Sequence, residues 1–121
     1  MLLIYMDEQA MGEAERAACY VDSAQLARDL HEKGAYVSAN PLHPVSSATS
    51  VCVREGRQLV TDGPFAETRE QLGGYFLVEA SNLDEAIAIA GRIPGARYGT
   101  VEVRPVMDIP GLPGAHAGGR P

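Results

Sequence analysis

Val60-Thr61-Asp62-Gly63-Pro64-Phe65-Ala66-Glu67-Thr68-Arg69-Glu70, running on into Gly73-Gly74-Tyr75-Phe76-Leu77, is the stretch from which the rest of the chain is read. An apolar–polar strand closes at Thr61, and a carboxylate then stands directly before Gly-Pro. Glycine reaches φ > 0 and proline fixes φ near −65°, so Gly63-Pro64 is a sharp, rigid bend. Gly63 precedes a proline and is biased away from the α region. Asp62 is therefore presented on a stiff corner. Aspartate at a turn also commonly bonds nearby backbone N–H groups, and that plain structural role stands beside any chemical one.

Upstream, residues 48–54 alternate, with Thr49, Val51 and Val53 on one face and Ala48, Ser50, Cys52 and Arg54 on the other. Glu55-Gly56 is a tight hairpin turn and residues 57–61 return. A strand at 35–39 ends at Asn40-Pro41, and the loop after it holds His43 between Pro41 and Pro44. Tight pairing of the hairpin puts that loop and Asp62 at one end of the sheet. Residues 2–6 are an apolar run, suited to a strand covered on both faces.

Residues 8–15 form a loop or the start of a helix. Across 13–33, Ala17, Tyr20, Ala24, Ala27 and Leu30 recur at helical spacing. Asp22-Ser23 interrupts them, so one helix and two are both compatible with the pattern. Lys33-Gly34 is a stop signal.

Downstream of the corner, residues 72–80 form a strand with Tyr75, Leu77 and Glu79 opposed to Gly74, Phe76 and Val78. Asn82 and Glu85 make an N-terminal box before Leu83, Ala86, Ile87 and Ala90. That helix closes by Ile93-Pro94-Gly95. A last strand spans 98–106, with Val101 and Val103 opposed to Thr100, Glu102 and Arg104. In residues 108–121 seven of fourteen positions are glycine or proline, which predicts a flexible tail after a domain at 1–107. His116 in that tail has no expected role.

The order strand, helix, strand, hairpin, strand, helix, strand is an α+β, ferredoxin-like βαββαβ plan with an inserted β-hairpin. Its helices cover one sheet face. The other face carries Arg54, Glu102 and Arg104, which either meet water or line a partly polar cleft between two copies packed sheet to sheet. The second arrangement predicts a homodimer.

Composition narrows the function classes. The 121 residues suit one domain, and 45% hydrophobic with 21% charged residues is ordinary for a globular protein. Net charge is −6 and no basic cluster occurs, so a nucleic-acid surface is not expected. Cys19 and Cys52 lack metal-ligand spacing and read as small buried hydrophobes. The apolar N-terminal run is too short for a signal-peptide core, and no stretch is long enough to span a membrane, so a cytoplasmic location is expected. No phosphate loop, nucleophile elbow or zinc spacing is present, and no cofactor is predicted. Glu67 and Glu70 lack a convergent histidine, so no metal is predicted either.

The corner block, with Leu72-Gly73-Gly74-Tyr75, resembles the signature of the DGPF-domain, or YCII-related, proteins. The resemblance extends to Pro41-Leu42-His43-Pro44, to residues 48–54 and to Val101-Glu102-Val103-Arg104-Pro105, covering most of residues 1–106. It implies a dimeric α+β barrel of ferredoxin-like subunits. Some members are similar to small lactone-processing dehydrochlorinases with a proposed histidine–aspartate acid–base pair. Others accompany extracytoplasmic-function sigma factors, implying a regulatory partner. Arg69 stands where lysine is usual in the family, and either His31 or His43 stands for its histidine.

Two functions follow as expectations. In the first, Asp62 and His43 transfer protons on a small organic acid or lactone, with Arg54, Glu67 and Arg104 binding the substrate. In the second, the chain is a non-catalytic module that binds a small ligand or contacts a sigma factor.

Overall fold

The computed structural model describes residues 1–113, so His116 and the last eight residues of the predicted tail lie outside the described residues. Six strands and two helices follow in the order β1 (Leu2–Met6), α1 (Glu13–Glu32), β2 (Tyr36–Pro41), β3 (Thr49–Arg54), β4 (Arg57–Asp62), β5 (Gln71–Val78), α2 (Leu83–Arg92) and β6 (Gly99–Val103). Short 3₁₀ turns occupy Val45–Ser47 and Pro94–Arg97.

Four strands form one sheet in the order β2-β5-β1-β6, every neighbour antiparallel. Each helix connects two strands that are parallel but separated by one other. This α+β arrangement agrees with the ferredoxin-like plan. β3 and β4 form a separate two-stranded ribbon. At its tip Glu55 and Gly56 both take positive φ, 52° and 77°, the pattern that matches the right-handed twist of a hairpin.

The core lies between the helices and one face of the sheet. Leu2, Leu26, Leu30, Phe76, Ile89, Ala90 and Ile93 form it. Because side chains alternate along a strand, Phe76 in the core turns Tyr75 and Leu77 to the opposite face. Across from Tyr75 stands Leu3, and beyond it Glu102 of β6.

α1 is one unbroken helix, which settles the interruption at Asp22-Ser23: Asp22 is exposed and stays hydrated within the helix. Gly34 at φ 78° ends it, with Gly34 N–H donating to His31 and Ala35 N–H to Leu30. The stripe read in the sequence faces the sheet only in part: Leu30 is buried and Ala27 packs on the core, whereas Ala17, Tyr20 and Ala24 are exposed, and Cys19 and Leu26, outside that stripe, are buried. Leucine removes more apolar area from water than alanine, so the leucines set the rotation of the helix.

α2 begins as its sequence predicts, with Asn82 Oδ1 accepting from Glu85 N–H at 2.9 Å and Glu85 Oε1 accepting from Ser81 N–H. It buries Ile89 and Ala90 and leaves Leu83 and Ile87 exposed. Ile93, the residue just past the helix, is buried at 1% exposure and, with Pro94, fixes which side faces the sheet.

Candidate functional site

The corner at Asp62 is built by local bonds. Asp62 closes β4, and Gly63 takes φ 103°, beyond the reach of most side-chain-bearing residues. Gly63 N–H donates to Ala48 at 2.8 Å, and Ser50 Oγ donates to the Gly63 carbonyl at 2.7 Å. The following loop is held by its own polar groups. Thr68 Oγ1 donates to the Glu70 carbonyl, Gln71 Nε2 donates to the Thr68 and Ala66 carbonyls, and Glu70 Oε1 accepts from Thr100. Much of the signature block is therefore occupied in shaping a loop.

The five sequence-predicted site residues fall in different places. Gly63, next to Asp62, is bonded to Ala48, which lies five residues after His43 in the segment that follows β2. Asp62 and His43 are both exposed, and no bond joins their side chains. His31 sits at the far end of β2, its ring 6.2 Å from that of Tyr36 and edge-on to it. A six-residue strand, about 20 Å long, separates that position from the loop of His43.

Arg54 is at the hairpin tip opposite Asp62, its guanidinium on the carbonyl of Val53. Arg104 follows β6 beside Met1 and pairs with Glu102 at 3.6 Å. Glu67 is exposed in the loop. Within one chain, these three do not converge on Asp62.

Two features that the sequence reading missed are better formed. The first is a cavity of about 340 Å³ between α1 and the sheet. Its origin is a run of small residues at facing positions: Ala24 and Ala27 on α1, Ala39 on β2, and Gly73 and Gly74 on β5. Dense packing needs larger side chains at such places, and their absence leaves space. Ile4, Met6, Phe76 and Ile93 supply apolar walls, and no charged side chain lines it. Cys19 also faces it, its Sγ 3.7 Å from Met11 Sδ, and burial pushes its thiol pKa upward. That makes it a poor nucleophile at neutral pH. A second concavity, about 490 Å³, lies between the start of α2 and the segment after β6, with Arg104 on its wall.

The other feature is a hydrogen-bonded cluster on the opposite face of the sheet. Tyr75 Oη accepts from Asn40 Nδ2 at 3.0 Å and shares a 2.9 Å bond with Ser38 Oγ. The bond with Ser38, then that with Asn40, favours the phenolate and lowers the Tyr75 pKa from its ordinary value. Only the pairing register brings these residues together, since Tyr75 is more than thirty positions from either partner. Among the described residues no group of three histidine, cysteine or carboxylate side chains is arranged to hold a metal, and no helix is long and apolar enough to cross a membrane.

The sequence model of the YCII-related domain matches residues 1–110. The chain is also similar to an uncharacterised protein of Rhizobium meliloti (strain 1021), at 34% identity over 110 residues, covering 87% of this chain and 89% of that one. The matched region contains the whole sheet, both helices, the Asp62 corner, the cavity and the Tyr75 cluster, and on these grounds the chain belongs to the YCII-related family.

Proposed function

We propose that the chain acts as a homodimeric ligand-binding domain that holds a small, mainly apolar, uncharged molecule between α1 and the sheet. The observation that carries this reading is the cavity of about 340 Å³ lined mainly by alanine, glycine and apolar side chains, with Ser23, Asn40 and Tyr75 also on its wall. It falls in the size range of small-molecule sites, and a ligand there would restore dispersion contacts that the small residues leave unmade. Charged ligands are disfavoured, because no ionised group lines the cavity to offset their desolvation.

Ethylbenzene is a suitable first probe. In the full chain it should shift the methyl NMR signals of Ala24, Ala27 and Ile93 and raise the unfolding temperature by binding the folded state. Ala27→Leu should fill the space and abolish those shifts while the protein stays folded. If no shift appears at millimolar probe and Ala27→Leu alters nothing, the cavity is a packing defect.

The acid–base reading on a small organic acid or lactone has one observation in its favour. The Gly63–Ala48 bond ties the Asp62 corner to the segment that carries His43 five residues earlier. A histidine NMR titration of wild type and Asp62→Asn tests it. Coupling predicts a raised His43 pKa that drops in the variant, whereas identical free-histidine curves reject the pair.

A further inference from the structure

On the sheet face opposite the helices, we propose that the side chains of Ser38, Asn40 and Tyr75 form a donor site for the acceptor oxygen of a small carbonyl compound with an apolar body. Asn40 and Tyr75 also border the cavity, so the test is run with that space filled.

Tyr75 and Ser38 carry one hydroxyl proton each and share a single 2.9 Å bond, while Asn40 Nδ2 donates to the Tyr75 oxygen. If Ser38 donates in the shared bond, the Tyr75 proton is left over. If Tyr75 donates, the Ser38 proton is left over. Either way one hydroxyl proton and the second Asn40 N–H are not used in these two bonds, and with Asn40 Oδ1 also outside them the cluster offers more donors than acceptors to whatever lies above it.

Of the acids that alternation puts on this face, Glu102 lies two strands from Tyr75, about 10 Å away, and is paired with Arg104, while Glu79 follows β5 four residues beyond Tyr75, about 13 Å along the chain. Thr100 is bonded to Glu70. Leu3 lies opposite Tyr75, and Leu77 lies opposite Ser38, so apolar surface adjoins the donors. An oxygen acceptor joined to a hydrocarbon body matches both halves. The lowered pKa of Tyr75 fits the same picture, since a more acidic phenol is a stronger donor.

Acetophenone and ethylbenzene differ by the carbonyl oxygen and make the test. In the full chain carrying Ala27→Leu, which fills the cavity, acetophenone should still shift the Asn40 side-chain amide and the Tyr75 ring signals, and ethylbenzene should not. Tyr75→Phe should weaken the acetophenone effect about fivefold, the worth of one neutral hydrogen bond. Asn40→Asp, at an exposed edge position, should do the same, because its carboxylate accepts the Tyr75 proton internally. Equal shifts from both probes overturn the proposal. So does acetophenone binding that both variants leave unchanged, or a Tyr75→Phe effect confined to self-association. Shifts of Asn40 and Tyr75 that occur in wild type and vanish in Ala27→Leu would support the cavity and reject this site, so the two readings fail separately.

Discussion

The carboxylate of Glu8 accepts the backbone N–H of Val45 at 2.9 Å, tying the loop after β1 to the 3₁₀ turn beyond β2. The same residue's carbonyl accepts from Arg16 Nη2 at 3.0 Å, so the start of α1 joins the assembly. Glu8 thus fastens the start of α1, eight residues on, to the turn that follows the loop of His43, thirty-seven residues on.

Glu8→Ala should release the turn without disturbing the core. Loss of a charged acceptor from a half-buried N–H is expected to cost about 1 kcal/mol. Hydrogen exchange at Val45 should speed up markedly, while exchange at Leu30 and Phe76 tracks only the small global change. An unaltered Val45 rate would mean that the bond does not order the loop.

Two glycines should respond oppositely to alanine. A Cβ at Gly99 would run into the carbonyl oxygen of Tyr5, backbone that cannot move aside without breaking the β1–β6 pairing. Gly99→Ala should destabilise by about 3 kcal/mol or more. A Cβ at Gly91 in α2 meets open space, and Gly91→Ala should stabilise by about 0.5–1 kcal/mol through lower unfolded-state entropy. Urea unfolding of the two variants checks both signs.

What the sequence revealed and what it hid divide along physical lines. The Glu55-Gly56 turn, the Gly34 stop, the Asn82–Glu85 cap and the Asp62-Gly63-Pro64 corner depend on neighbouring residues, and each is legible in the chain. The rotation of α1 is only half legible: Leu30 is buried as its spacing implies, but Ala17 satisfies the same helical period without enough area to compete with Leu26, which the stripe does not include. The cavity is illegible in principle: it is a shortage of volume where Ala27, Ala39 and Gly74 meet, and no one segment shows it. The Tyr75 cluster needs the β2–β5 register, including the irregularity between Tyr36 and Ser38 that puts Ser38 opposite Leu77. Alternation alone does not supply that.

Acid should act on the seam between the helices. Asp29 accepts from Gln25 and from Arg92 Nη2, the latter at 2.9 Å, and these bonds, Gln25 first, hold its carboxyl below the ordinary value of 3.8. A carboxylate with a lowered folded pKa contributes stability that is full above the unfolded value and is lost as pH falls through the folded one. Wild type should therefore exceed Asp29→Asn in stability at pH 6, and the difference should shrink once the pH drops below 3.8. Thermal unfolding across that interval measures it. A pH-independent difference would assign the effect to packing instead of charge.

The β3–β4 hairpin bears on assembly. On one face Val51 and Val53 are each 60% exposed and Val60, directly opposite Val51, is 59% exposed. The two strands pack chiefly against each other and gain little from the main sheet. An isolated two-stranded ribbon is marginal in water, and a β-branched face left open to solvent gives up the burial that would secure it. A second copy seated on that face would supply the missing cover, in keeping with the proposed homodimer. Val60→Lys places a charge at the centre of the face, where a monomer tolerates it and a self-contact must bury it twice. Sedimentation velocity should then show dissociation at a concentration at least about tenfold higher than for wild type. Circular dichroism should be unchanged, because Val60 lies outside the core. If wild type is already monomeric, or Val60→Lys associates equally well, the hairpin is not the contact and its exposed valines must be explained within the single chain.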